Sequence, residues 1–125
     1  MSPDDLKGRR ILVVEDEYFF AAEMALAVRN AGGEVLGPVP DLAAALRIVA
    51  EDTAIDGALL DISLGEETSF PIAKILKARG IPVLFITGYD SWFLPDELDD
   101  VPTYQKPEDA DNVVRLLFRE PARGD

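Results

Sequence analysis

Asp and Glu outnumber Lys and Arg by 24 to 12 in these 125 residues, and histidine and cysteine are absent. Any chemistry must therefore be built from carboxylates, hydroxyls and ammonium groups. The absences exclude a serine–histidine triad, an imidazole general base, a thiol nucleophile, a disulfide framework and any His- or Cys-ligated metal. The acidic residues that matter stand at the ends of apolar runs. Glu15-Asp16-Glu17 follows Ile11–Val14, and Asp61 follows Gly57–Leu60. Thr87 closes Pro82–Ile86, and Lys106 closes Pro102–Gln105. Each alone is ordinary, because strand ends are often polar. Together they would bring several carboxylates, one hydroxyl and one ammonium to a single edge, if the four runs are neighbouring strands.

Electrostatics gives such an edge a purpose. Two carboxylates ~5 Å apart at an effective dielectric of ~20 repel by roughly 3 kcal/mol. A fold tolerates several of them only if protons, Lys106 or a bound cation offset the repulsion. With oxygen ligands alone, the natural cation is hard: Mg²⁺ or Mn²⁺. A metal-held carboxylate beside a hydroxyl and an ammonium suits phosphoryl chemistry. The cations neutralise the phosphoryl oxygens and a free carboxylate attacks. The plainer alternative is a solvated acidic rim that Lys106 merely balances.

The elements that must position these residues follow from the hydrophobic pattern. Short continuous apolar runs at Ile11–Val14, Gly57–Leu60 and Pro82–Ile86 fit strands buried on both faces. Glu34–Val39, closed by Pro38 and Pro40, and Pro102–Gln105 complete five strands. Between them the period changes. Residues 18–30 place Phe19, Met24, Ala27 and Val28 at spacings near 3.6 and stop at Gly32-Gly33. A second helix follows Asp41, a plausible N-cap, with Leu42, Ala45, Leu46 and Val49 apolar. Ser63–Glu67 reads as a loop, and Thr68 or Ser69 caps a third helix with Pro71 in its first turn, ending at Gly80. Residues 90–101 are acidic and broken by Pro95, and a last helix spans about Glu108–Arg119.

Alternating strands and helices predict a flavodoxin-like (βα)5 three-layer α/β sandwich with a five-stranded parallel sheet of order 2-1-3-4-5. Right-handed crossovers put all strand C-termini on one edge, where such sheets bind ligands. At 125 residues one domain is expected. It divides into a lead at 1–8, a core at 9–120 and a polar tail at 121–125. The net charge of −12 disfavours nucleic acid and anionic membranes. No apolar stretch approaches the ~18 residues of a membrane span, and Met1–Leu6 is unlike a signal peptide, so a cytoplasmic location is expected.

Ile11-Leu12-Val13-Val14-Glu15-Asp16-Glu17, Leu59-Leu60-Asp61-Ile62, Thr87-Gly88 and Lys106-Pro107 together resemble the receiver domain of two-component response regulators, over about residues 8–119. The resemblance implies that Asp61 is the phosphoacceptor, charged by a sensor histidine kinase or a histidine phosphotransfer protein. It implies Mg²⁺ (or Mn²⁺) held by Glu15, Asp16, Asp61 and the backbone carbonyl of Ser63, with Asp16 a direct ligand. Thr87 would hydrogen-bond the phosphoryl group and Lys106 would pair with it. Lys106-Pro107 is expected to be cis.

The segments Asp61–Pro71 and Pro82–Tyr89, with a Phe-x-Thr-Gly-Tyr core, further resemble the alphaproteobacterial FAT GUY receivers, many of them stand-alone. The match is partial, because Ile86 stands where that group favours alanine. The receiver pattern also has an aromatic switch residue three positions before the lysine, which here is Thr103. Tyr104, one place later, points to the other face. Tyr89 could carry part of the signal or shield the site, and its bulk would hinder the water that hydrolyses an aspartyl phosphate. Glu108 replaces a common phenylalanine and suits a helix N-terminus. Trp92-Phe93-Leu94 is either a lid over the sheet or a partner face.

The resemblance implies a single-domain regulator whose output is protein–protein contact or phosphorelay, so a downstream regulatory protein is expected. A homodimer is compatible with it. The resemblance also implies that the chain slowly hydrolyses its own aspartyl phosphate and is otherwise no enzyme. Three rival readings fit the residues less well. An aspartyl phosphatase needs a second aspartate two residues after the nucleophile, where this chain has Ser63. A flavin carrier needs a hydroxyl- and glycine-rich loop after the first strand, where this chain has Glu-Asp-Glu. A phosphorylation-independent binding module usually loses an acid, the acceptor or the lysine, all of which are kept here.

Overall fold

The computed structural model describes residues 6–51, 54–88, 94–106 and 110–118. Five parallel strands form the central sheet: β1 (Arg10–Val14), β2 (Glu34–Val39), β3 (Gly57–Asp61), β6 (Val83–Thr87) and β7 (Thr103–Gln105). Their order is β2-β1-β3-β6-β7. The segment read from sequence as a loop after Asp61 is instead a small antiparallel hairpin, β4 (Ser63–Leu64) and β5 (Glu67–Thr68), turning at Gly65 with φ +70°. Without it, the sheet order is the expected 2-1-3-4-5.

Side-chain alternation builds two cores. Leu12, Val14, Leu60 and Phe85 face one side, against Ala45, Val49, Ile72, Leu76 and Leu98. Ile11, Val13, Leu59, Leu84 and Ile86 face the other, against Phe20, Met24, Val28, Val113 and Leu117. So α2 (Leu42–Glu51) and α3 (Phe70–Ala78) cover the first face. The second is covered by α1 (Tyr18–Asn30) and α4 (Ala110–Arg115). Between β6 and β7 the described residues hold a 3-10 turn, Asp96–Leu98, instead of a fifth α-helix. Its Leu98 is fully buried, while Lys77 of α3 holds the segment through the Glu97 carbonyl and the Asp100 carboxylate. Among the described residues no helix is long and apolar enough to cross a membrane.

The inward face of α1 differs from the sequence reading. Phe19 is 80% exposed and Phe20 is buried. At about 100° per residue Phe20 lies ~40° from Met24 on the helix wheel, and Phe19 ~140°. In α2, Leu46 is likewise exposed, while Ala45 and Val49 carry the buried stripe. Asp41 caps α2 as expected, its Oδ1 accepting the Ala44 amide at 2.8 Å. Asp41→Ala is expected to lower stability by ~1 kcal/mol, measured by urea denaturation, because that first-turn amide loses its partner.

One irregularity serves the site. β1 and β2 pair as Leu12↔Leu36 and then Val14↔Val39, so β2 carries an extra residue. The bulge contains Gly37, at φ +99°, and the cis peptide Gly37-Pro38. A Cβ on Gly37 would lie 2.8 Å from the Val39 amide nitrogen and 3.0 Å from the Val13 carbonyl oxygen, so only glycine fits. Beyond the bulge the Val39 carbonyl accepts the Glu15 amide at 2.9 Å and fixes the first residue after β1.

Candidate functional site

Strand pairing alone brings the expected residues together. Val14 pairs with Leu60, so Glu15 emerges beside Asp61. Asp61 pairs with Ile86, so Thr87 lies one step beyond. Thr87 pairs with Gln105, and the Lys106 amide donates to the Thr87 carbonyl at 2.7 Å. Glu15, Asp61 and Thr87 are buried, whereas Asp16 is exposed. Ser63 is half-buried, and its amide donates to Asp61 Oδ1 at 3.1 Å. Glu15, Asp16, Asp61, Thr87 and Lys106 thus meet at one C-terminal edge, as the apolar runs predict, with Ser63 beside Asp61.

Lys106 Nζ donates to three carboxylates: Glu17 Oε1 at 2.9 Å, Glu15 Oε2 at 3.0 Å and Asp61 Oδ2 at 3.2 Å. The Phe20 ring lies 5.1 Å from the same nitrogen, within cation–π range. Burial works against the ammonium charge, but Glu17, Glu15 and Asp61 outweigh it and push the Lys106 pKa up. Glu15 is also displaced. Burial first, then the neighbouring Asp61 carboxylate, raises its pKa to about 8.

The donor set fits a hard cation. Glu15, Asp16 and Asp61 each offer an oxygen, all within 4.8 Å of one another. Glu15 Oε1 is buried and, among the described residues, receives no hydrogen bond. A buried carboxylate oxygen without a donor beside a second carboxylate is satisfied by a proton or a cation. Both would act at the same place.

The partnership of Lys106 with Glu17 was not read from the sequence, where Glu17 counted only as one of three acids. The available signal was its position two residues beyond Glu15, the offset that returns a side chain to the same face of an extended chain. Thr103 is exposed, its Oγ1 3.4 Å from the Val101 carbonyl. Tyr104 packs on the other side, against the core under α1 and α4, as alternation requires. Leu94 packs on the α2–α3 core. Tyr89, Trp92, Phe93, Pro107 and Glu108 lie outside the described residues, and with them the expected cis bond, the aromatic triplet's role and the start of the last helix.

No protein-family model matches the chain. It is 31% identical over 122 residues to the phyllosphere-induced regulator PhyR of Methylorubrum extorquens, covering 90% of this chain and 45% of that one. The chain therefore spans less than half the length of that curated relative. SdrG from Sphingomonas melonis Fr1 has a solution structure that superposes with a TM-score of 0.73 at 36% identity, over 86% of this chain and 91% of that one. A response regulator from Burkholderia pseudomallei, crystallised with a phosphorylated aspartic acid, calcium ion and citrate, shares the fold. Its TM-score is 0.70 at 20% identity, over 87% of this chain and 66% of that one.

Proposed function

Because this chain belongs to the receiver family of response regulators, we propose that it is a signalling receiver phosphorylated on Asp61 by a phosphohistidine donor. The observation that carries this reading is the meeting of Asp61, Glu15, Asp16 and Lys106 around one point at the sheet edge. That arrangement offers a nucleophilic carboxylate, two further acids and a cation, which is what phosphoryl transfer asks of a protein lacking histidine.

In this reading an Asp61 oxygen forms a bond to phosphorus while the donor's phosphorus–nitrogen bond breaks. The electron pair of that bond goes to the imidazole nitrogen, and a proton from solvent keeps the departing ring neutral. Lys106 neutralises one phosphoryl oxygen, and the Thr87 hydroxyl donates to another. The Ser63 amide, now on Asp61 Oδ1 at 3.1 Å, orients the carboxylate. Glu15, Asp16, Asp61 and the Ser63 carbonyl would hold Mg²⁺ or Mn²⁺. The bound cation supplies charge neutralisation at the phosphoryl oxygens. Water later attacks the aspartyl phosphate, giving orthophosphate and restoring Asp61. The donor would be a sensor histidine kinase or a histidine phosphotransfer protein, and the readout a contact with a downstream regulatory protein.

The receiver unit is taken as residues 9–120, acting in the cytoplasm. The FAT GUY subgroup is supported by the Phe-x-Thr-Gly-Tyr core and the 36% identity to SdrG. Thr103 stands at the usual aromatic position, so the usual coupling from Thr87 to an aromatic at that position is absent.

The test uses acetyl phosphate on the purified protein, read by intact mass. The expected result is a gain of one phosphoryl group with Mg²⁺ and none with EDTA. A chain that gains none from acetyl phosphate, and none from any phosphohistidine donor tried with Mg²⁺, is a binding module instead.

A further inference from the structure

We infer that Glu17 is a positioning residue for Lys106, holding the ammonium on the unphosphorylated protein and yielding it when a phosphoryl group occupies Asp61. This rests on the phosphoacceptor reading above. An ammonium has three N–H donors. Those of Lys106 are all engaged, by Glu17, Glu15 and Asp61 at 2.9, 3.0 and 3.2 Å. A phosphoryl oxygen is a further acceptor, so one present partner must let go.

The three partners are not equally free to do so. The Glu15 side chain is fully buried, and losing the ammonium would remove a donor that water cannot replace there. Its Oε2 already accepts the Glu17 amide at 3.0 Å. Asp61 is buried and carries the incoming group. The Glu17 side chain is 60% exposed, so water replaces the ammonium at small cost. Glu17 is therefore the partner that releases Lys106.

The backbone around Glu17 points the same way. Glu17 occupies the N-cap of α1, yet its side chain makes no capping hydrogen bond. Serine, aspartate and asparagine cap better than glutamate. The longer side chain here reaches past the helix end to Lys106. One turn on, the Phe20 ring stands 5.1 Å from the ammonium and confines it to the side of α1. The first turn of α1 thus competes with the phosphoryl group for the lysine.

The experiment measures binding of beryllofluoride, a phosphoryl mimic, to the Mg²⁺-loaded protein by fluorine NMR, for wild type, Glu17→Gln, Glu17→Ser and Asp61→Asn. Both Glu17 variants are expected to bind it about threefold more tightly, the scale of one exposed ion pair. Only Glu17→Ser should also gain thermal stability, through a better cap. A merely structural Glu17 would change melting and leave affinity alone. If wild type binds, Asp61→Asn does not, and Glu17→Gln binds no better than wild type, the role of Glu17 is wrong while the phosphoacceptor reading stands. If wild type does not bind, or Asp61→Asn binds equally well, both fall.

Discussion

Asp61→Asn is expected to abolish the metal-dependent phosphoryl gain and to stabilise the metal-free protein at pH 9. The first effect follows from removing the nucleophilic oxygen. The amide keeps one acceptor for the Ser63 N–H, so the hairpin after β3 is undisturbed. The second follows from charge. Asp61 stands within 4.8 Å of oxygens of both Glu15 and Asp16. At an effective dielectric of ~20 each such pair repels by ~3.5 kcal/mol once both are ionised. Against this, Lys106 attracts Asp61 at 3.2 Å, which is ~5 kcal/mol on the same scale. Two repulsions and one attraction vanish together, leaving a gain of about 2 kcal/mol. The Asn amide also supplies a donor beside the carboxylates. Intact mass reads the first effect and urea denaturation in EDTA reads the second. Phosphoryl gain retained by the variant would place the acceptor elsewhere. A loss of stability would mean that the ammonium attraction dominates.

The metal-free protein is also expected to lose a few kcal/mol of stability between about pH 5 and pH 8. The Glu15 pKa rises from 4.5 to about 8 on folding, chiefly through burial and secondly through Asp61. In that window the native chain binds more protons at Glu15 than the unfolded chain does. Stability therefore falls with each pH unit, by up to about 1.4 kcal/mol, until Glu15 ionises in the folded protein as well. Lys106 does not counter the slope. Its folded pKa is raised, so its contribution is intact throughout this range and is lost only above the ordinary lysine pKa near 10.5. Asp100 has the opposite sign. Lys77 lowers its pKa, and what it contributes fades below about pH 4. Mg²⁺ should flatten the fall, because the cation takes the place of the proton on the same carboxylates, and Mg²⁺ binding should strengthen as pH rises toward 8. Urea titrations at pH 5.5, 6.5, 7.5 and 8.5, in EDTA and in Mg²⁺, check both. A rise in stability from pH 5 to 8 in EDTA would show that Glu15 is ionised throughout.

The edge was legible in the sequence because four of the five sheet strands stop where the run meets a charge or a hydroxyl, β2 stopping at Pro40 instead. β2 spans Glu34–Val39 as read, and β3 takes in the acceptor position Asp61. What the pattern could not give was anything set by a single step of angle or register. Phe19 and Phe20 are equally apolar, and only their angle to Met24 decides which is buried. The bulge at Gly37-Pro38 looks in sequence like the end of a strand, yet it carries Val39 to the Glu15 amide. The β4–β5 hairpin is polar apart from Leu64, and its pairing is visible only once Leu64 is buried against the core. Glu17 read as one more acid, because a charge run does not say which member meets a cation contributed 89 positions away.

That separation also sets an order in time. β1 and β3 can pair once the first half of the chain is available, and their pairing places Glu15 beside Asp61. The ammonium that compensates them is 45 positions beyond Asp61 and 91 beyond Glu15, one residue past the last strand of the sheet. β7 pairs with β6, which pairs with β3, so the lysine's strand joins the edge through two earlier pairings. Until β7 docks, the edge carries its carboxylates without their counter-charge, so the nascent sheet repels itself most strongly just before it is complete. The final strand thus brings both the last row of hydrogen bonds and the charge that lets the rest of the edge settle.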